Sequence, residues 1–167
     1  MLYPEATARI PSDEAGFLLN LNTGPRMDFR VDEDPGAIER HWFPLDREIV
    51  RTSGVALTGP PPEALFAAIP RAVLLPVVRE SLDWYRAAGH SGAESDAVLN
   101  ACRSLRWFRQ DVWSSKSEAG AWVLEHTSDR ELVAAALDSR RGGTGPAREE
   151  VARFVDGALA ELSGHRL

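Results

Sequence analysis

From residue 37 onward, apolar residues return at spacings of three and four along most of the chain, which is the pattern of helices with one buried face. Prolines and glycines divide this pattern into segments, because proline is favourable at a helix start and glycine at a helix end. The clearest segment is 93–110. The predicted helices are 37–52, 63–68, a helix from Pro70 to a stop at Gly89 and Gly92, 93–110, 115–124, 129–140 and 146–162.

The first 36 residues lack the helical spacing and predict extended structure. Residues 1–12 hold two prolines and little pattern, so we expect a flexible arm without a core. The apolar run Gly16–Leu21 predicts a strand closed by a turn at Asn22–Pro25, and Met27–Val31 predicts a second extended piece. In the first helix, Pro44 either makes a kink or delays the start.

Short connections between consecutive amphipathic helices favour an antiparallel bundle. We therefore predict a mostly α fold, a bundle of about five to seven helices with a short N-terminal β-hairpin or edge strands. Because 167 residues suffice for one buried core, we expect a single domain over 13–167, with short strands in 13–33 and the bundle in 37–163.

Charge and cysteine content narrow the possible partners. The net charge of -6 leaves no broad basic surface for nucleic acid and makes a small cationic molecule the easier partner. The single Cys102 excludes an internal disulfide and fits a reducing compartment. The chain has no leader pattern and no apolar run of about 18 residues, so we expect a cytoplasmic protein that does not enter a membrane.

The helix 93–110 has a second, polar face opposite its apolar stripe. At 100° per residue, this face holds Asp96, Asn100, Arg103 and Trp107. An indole beside these polar groups could hold a ligand, and the guanidinium of Arg103 suits phosphate. The alternative is a solvated face with salt bridges and a half-exposed tryptophan.

Lys116 stands in the first turn of a helix that Ser115 and Glu118 would start as a capping box. A cation is unfavourable at this end of the helix dipole, so an anionic ligand is one reason for its presence, and a harmless exposed lysine is the other. Trp84 lies near these cations in sequence. Its indole is either a wall for a sugar or amine, or ordinary core.

Complete catalytic motifs are absent from the sequence. The histidines lack metal-ligand spacing, and there is no nucleophile elbow, Walker loop or dinucleotide fingerprint. Asp32 and Asp34 could hold Mg²⁺, but the Pro-Gly that follows them favours a solvated turn.

Several runs of residues resemble the C-terminal helical domain of aminoglycoside nucleotidyltransferases that adenylylate streptomycin and spectinomycin. The resemblance covers roughly residues 16–126, and its most specific parts are D-x-x-I-x-x-x-x-G-x-x-L-x-G-P-P at Asp46–Pro61, N-x-x-R at Asn100–Arg103, and S-K-x-x-A-G-x-W at Ser115–Trp122. It implies that Arg103 and Lys116 face the triphosphate of ATP and that Trp84 lies against the aminoglycoside.

The sequence departs from that family in two places. The carboxylates that grip the amines of the drug correspond to Gly89 and Ala93, although Glu94 and Asp96 are near. The Gly-Ser motif and the metal-binding aspartates of the nucleotidyltransferase domain have no counterpart. Transfer of a nucleotidyl group then lacks its main charge stabiliser.

The leading hypothesis is an aminoglycoside nucleotidyltransferase-like domain that binds nucleotide phosphate, an aminoglycoside-like ligand, or both. We expect it to be inactive alone or one part of a split adenylyltransferase, with ATP and Mg²⁺ used only beside a separate nucleotidyltransferase domain. The candidate residues are Arg103 and Lys116 for nucleotide and Trp84, Glu94, Asp96 and Trp107 for substrate, with no catalytic or metal-binding residue. The alternative is a non-enzymatic module that binds a protein or a small molecule, and an oligomer is compatible with either.

Overall fold

The computed structural model describes residues 1–24, 27–88 and 93–164, and within them the predicted mostly α fold is confirmed. These residues contain a two-stranded antiparallel hairpin and eight α-helices, two of which have only four residues. The chain groups into two compact units, 1–77 and 78–167. The single domain of 13–167 stays a prediction.

Unit 1 contains the hairpin and the short helices. Its elements are α1 (Glu5–Ala8), β1 (Asn20–Gly24), β2 (Met27–Asp32), a 3₁₀ turn (Pro35–Ala37), α2 (Trp42–Ser53) and α3 (Pro62–Leu65). Helix α4 (Arg71–Ala88) begins in this unit and ends in the next.

The hairpin differs in register from the sequence prediction. The strand begins at Asn20 rather than at Gly16, and Asn22–Gly24, predicted as turn, is paired strand with an irregularity between Asn22 and Gly24. The remaining predicted turn residue, Pro25, lies outside the described residues. The polar Asn20 and Asn22 pair with Asp32 and Arg30, so cross-strand pairing and not apolar content sets these bounds.

Pro44 delays the start of α2 instead of kinking it. The helix begins at Trp42, so Pro44 lies in its first turn. The N–H groups of a first turn have no intrahelical acceptor, and proline therefore costs no helical hydrogen bond there. The helix ends at Ser53, one residue after the predicted end at residue 52, and the N–H of Gly54 donates to the carbonyl of Val50 at 2.8 Å.

A small aromatic core holds unit 1 together. Phe17 and Phe43 are buried with their ring centroids 4.5 Å apart, and Tyr3 packs against them. The buried guanidinium of Arg47 donates to the carbonyls of Ser12 and Glu14 at 2.7 and 2.8 Å. Residues 1–12, expected to be an arm without a core, therefore contain α1 and contribute to this packing, while their flexibility stays a prediction.

Unit 2 is built around α5 (Glu94–Gln110), which contacts α6 (Lys116–His126), α7 (Arg130–Ser139) and α8 (Arg148–Leu162). The predicted helices 93–110, 129–140 and 146–162 match these bounds within two residues. The predicted stop of α4 at Gly89 and Gly92 lies outside the described residues. Because helices surround α5, residues on more than one of its faces are buried, including Ala97, Asn100 and Trp107.

Among the described helices, none is long and apolar enough to cross a membrane.

Candidate functional site

Arg103 is held in place on α5 by a short chain of hydrogen bonds. The buried side-chain amide of Asn100 donates to the hydroxyl of Ser81 at 2.9 Å and accepts from Nη2 of Arg103 at 2.9 Å. Asn100 and Arg103 are three residues apart and therefore lie on neighbouring positions of one helical face. The hydrogen bond to Ser81 fixes the Asn100 amide, and the amide oxygen in turn orients the guanidinium of Arg103.

Lys116 opens α6 directly after the capping residue Ser115. The predicted capping box is present, since Ser115 accepts from the Glu118 N–H and Glu118 accepts from the Ser115 N–H. The Lys116 ammonium donates to Oδ1 of Asp96 on α5 at 2.6 Å. Its side chain is 22% exposed, so this lysine is neither free in solvent nor fully buried.

Two cations lie at the carboxylate of Asp96, and a third acts on Lys116. Besides Lys116, the guanidinium of Arg140 lies 3.6 Å from the same Oδ1 atom. Burial lowers the pKa of Lys116, Asp96 acts in the opposite direction, and the positive charges of Arg103 and Arg140 add to the lowering. We call Arg103, Lys116 and Arg140, together with Asp96, the cationic cluster.

Tyr85 on α4 belongs to the same electrostatic environment. Burial raises the pKa of its hydroxyl to about 12, with a further increase from the charge of Asp96 and a decrease from that of Arg103. Tyr85 therefore stays protonated at neutral pH and keeps a hydroxyl donor near the cationic cluster. Its ring also makes an edge-to-face contact with Trp84, with centroids 5.0 Å apart.

The two acidic substrate candidates have different surroundings. Asp96 forms ion pairs with Lys116 and Arg140. The lysine at the start of α6 is therefore explained by a partner inside the chain. Glu94, in the first turn of α5, is half-buried and lines a small cavity of about 80 Å³ together with Tyr85 and Arg148. The role of Glu94 and Asp96 in substrate binding stays a prediction. Gly89, the position of one missing family carboxylate, lies outside the described residues.

The two aromatic candidates, Trp84 and Trp107, also differ in their surroundings. Trp84 is half-buried and keeps part of its surface accessible. Trp107 is only 3% exposed and stacks on Trp113, with centroids 5.3 Å and planes 19° apart. The expectation of a half-exposed Trp107 on a solvated face is therefore wrong, because the loop after α5 covers this indole with a second one.

Polar atoms without partners lie just before α6. In the described part of the chain, the hydroxyl of Ser114 and the indole N–H of Trp113 are buried and make no hydrogen bond. Such atoms are costly to bury, and a native protein has few of them. They adjoin the first turn of α6, where free backbone N–H groups favour an anion.

Arg140 and Tyr85 were not among the residues that the sequence pattern predicted. Arg140 caps the C-terminus of α7, where a cation is ordinary because it complements the helix dipole, so its position carried no functional signal. The sequence pattern also did not predict a groove of about 800 Å³ in unit 2, where Leu105, Leu132 and Phe154 are flanked by charged residues of α7 and α8. This groove and the cationic cluster share no residue.

A family model described as "Aminoglycoside adenylyltransferase, C-terminal domain" matches residues 64–161, which is more than half of the chain. The match includes every residue of the cationic cluster. No curated protein matches the sequence.

Proposed function

The chain belongs to the family of aminoglycoside adenylyltransferase C-terminal domains, and on this premise we propose that its cationic cluster binds the phosphate groups of a nucleotide. We further propose that an aminoglycoside-like amine binds near Trp84 and that the chain is inactive alone. A separate nucleotidyltransferase domain would supply the catalytic carboxylates of a split adenylyltransferase.

The observation that carries this proposal is the clustering of cations from α5, α6 and the end of α7. Lys116 and Arg140 lie 2.6 and 3.6 Å from one carboxylate oxygen of Asp96, and the charge of Arg103 acts on Lys116, although the whole chain has a net charge of -6. The pKa of Lys116 is lowered first by burial and further by the charges of Arg103 and Arg140. A phosphate group would offset this repulsion, and guanidinium groups bind phosphate by paired hydrogen bonds. The first turn of α6 adds backbone N–H donors of the kind that bind anions.

A metal site within the chain itself is not part of the proposal. In the parts of the chain with assigned positions, no three side chains among His, Cys, Asp and Glu come together as a metal site. The separate domain would supply the metal site of the split enzyme.

Calorimetric titration with ATP tests the phosphate site. We expect a Kd on the order of 1 mM or tighter, and we expect Lys116→Met to weaken binding about tenfold by removing one charge-assisted hydrogen bond. Arg153→Met is the matched control, since it removes one cation from the exposed surface of α8 and should leave the Kd unchanged. Asp96→Asn should strengthen ATP binding about threefold or more, because it removes the carboxylate that competes with phosphate.

These variants separate a phosphate site from a structural ion pair. If Asp96→Asn leaves ATP binding unchanged and only lowers stability, then Lys116 and Asp96 serve the fold, and the proposed site is refuted.

Mass spectrometry tests inactivity of the chain alone. After incubation with ATP, Mg²⁺ and streptomycin or spectinomycin, we expect no drug molecule with an added AMP. The appearance of adenylylated drug with the pure chain would contradict the proposal.

The second candidate function is a non-enzymatic interaction module. It is favoured by one observation, the concentration of exposed apolar side chains in unit 1. Of the eleven large hydrophobic residues exposed in the described ranges, ten belong to unit 1 and only Val112 to unit 2. Absence of ATP binding together with tight binding of a protein partner would favour this function over the first.

A further inference from the structure

The segment between α5 and α6 lies along the polar face of α5. At its start Trp113 stacks on Trp107, and at its end the ammonium of Lys116 donates to Asp96 at 2.6 Å. Asp96 and Trp107 are eleven residues apart on one face of the helix, hence roughly 16 Å apart along its axis. The segment therefore runs back over this face, and its middle passes the part of α5 that carries Arg103.

Ser114 stands in the middle of this segment with a buried hydroxyl. The residue is 6% exposed, and its Oγ atom has no hydrogen-bond partner in the described part of the chain. The next residue, Ser115, is exposed, so the segment has solvent on its outer side. A side chain buried as deeply as that of Ser114 therefore lies on the inner side, over the same stretch of α5 as Arg103.

Two further donors near the same place lack an acceptor. The indole N–H of Trp113, in a residue 8% exposed, makes no hydrogen bond among the described residues, and an indole can only donate. Within the same ranges, the Nε–H of Arg106 is buried without a partner as well. Hydrogen bonds from Ser115 and, to a smaller extent, the charge of Arg106 lower the pKa of Glu118, so Arg106 also lies near the start of α6.

The start of α6 adds more donors. The Ser115 hydroxyl accepts from the Glu118 N–H, which leaves the N–H groups of Lys116 and Ser117 without an acceptor inside the helix. Burying an unpaired donor is costly, and native proteins contain few of them. Several such donors beside the charges of Arg103 and Lys116 require a group that accepts hydrogen bonds and is negatively charged. The oxygens of a phosphate group meet both requirements.

We propose that the Ser114 hydroxyl and the Trp113 indole N–H donate to the phosphate group of the cationic cluster, with the first-turn N–H groups of α6 as further donors. This inference rests on the proposed function, because it adds two ligands to the same phosphate site. The ligand class is a phosphate group, either free or part of a nucleotide. Cations attract a phosphate from any direction, whereas neutral donors require a defined angle. Ser114 and Trp113 therefore orient the phosphate that the charges attract.

Ser114→Ala separates binding from stability. In calorimetric titration with ATP it should weaken binding about fivefold or more, because one hydrogen bond to a charged group is lost. In the ligand-free chain the same change removes an unpaired buried hydroxyl, so the urea concentration at the unfolding midpoint should stay the same or rise. Ser117→Ala is the matched control, since Ser117 is exposed in the first turn of α6 and does not cap the helix. It should change the ATP affinity by less than about twofold.

The indole N–H of Trp113 reports the contact directly by NMR. Each of the five tryptophans gives one indole N–H signal in an isotope-labelled chain, and Trp113→Phe identifies the signal of Trp113. Titration with ATP should shift this signal more than any other indole signal, and adenosine, which has no phosphate, should not shift it. Inorganic phosphate is the third probe. A shift with inorganic phosphate shows that a free phosphate group suffices, and a shift with ATP alone assigns the site to a nucleotide phosphate.

The failure of this inference differs from the failure of the proposed function. If Lys116→Met weakens ATP binding but Ser114→Ala does not, and ATP leaves the Trp113 signal in place, the added ligands are refuted while the phosphate site stands. If the unsubstituted chain binds neither ATP nor inorganic phosphate, both proposals are refuted. A Ser114→Ala chain that unfolds at a clearly lower urea concentration would show that the hydroxyl has a partner within the fold, which also overturns the inference.

Discussion

Gly120 shows how closely the helices of unit 2 approach one another. A Cβ atom built on this residue of α6 would lie 2.9 Å from Cδ2 of Leu99 on α5 and 2.9 Å from Cδ2 of Leu137 on α7. Leu99 is fully buried and has no room to move. Glycine at this position therefore permits a three-helix contact that any larger residue would disturb.

A pair of glycine substitutions measures this contact. Gly120→Ala should lower the free energy of unfolding by about 1 kcal/mol, because overpacking typically costs more than the helix propensity that alanine gains. Gly157→Ala in α8 is the matched control, since nothing lies within 4 Å of its Cβ position. It should raise the free energy of unfolding by about 0.5–1 kcal/mol. Urea unfolding of both variants checks this, and equal shifts in one direction would contradict it.

A charged side chain that suggests a ligand in the sequence can instead have its partner within the chain, as the candidate residues show. Lys116 alone, at the positive end of a helix, suggested an anionic ligand, and Asp96 suggested an amine. The structure joins the two in one ion pair of 2.6 Å. Spacing along the chain did not reveal that Arg140 lies 3.6 Å from the same carboxylate oxygen.

At the scale of elements, α6 is the helix whose start depends most clearly on local sequence. Its capping box needs only Ser115 and Glu118, three residues apart, and both hydrogen bonds form. The hydrogen bonds from Ser115 lower the pKa of Glu118 below its usual value. The contribution of this carboxylate is therefore fully present above its ordinary pKa and is lost as the pH falls through the lowered one.

Removing the cap should weaken α6 and leave the other helices intact. Ser115→Ala should lower the free energy of unfolding by about 1 kcal/mol, because the Glu118 N–H loses its acceptor. Ser117→Ala is the control, since Ser117 is exposed in the same turn and does not cap the helix. Thermal unfolding followed by circular dichroism compares the two, and equal losses would argue against the capping role.

At the scale of the whole molecule, burial is distributed unevenly between the two units. In unit 2, α5 is packed against three other helices, and nine of its residues are buried. In unit 1, the hairpin has an exposed apolar face and a strand edge without a neighbour among the described residues. A two-stranded hairpin is marginally stable by itself.

Hydrogen exchange should follow this division. We expect backbone amides of α5 between Ala97 and Leu105 to exchange slowest and those of β2 to exchange fastest among the regular elements, because local opening is easiest where little apolar surface is buried. Mass spectrometry of peptides from dilute protein gives both rates in one experiment. Protection of β2 equal to that of α5 would show that the hairpin is more stable than its packing indicates.

The sequence by itself determined the features that depend on near neighbours along the chain. Helical periodicity, the capping box of α6 and the family motifs are local patterns, and the helices 93–110, 129–140 and 146–162 followed from them within two residues. Only the tertiary structure decided the start of β1 at Asn20, the burial of Trp107 against Trp113, and the meeting of Lys116 with Asp96 and Arg140. Each of these depends on residues brought together by pairing or packing, and the energy of such a contact is not encoded in the spacing of either partner.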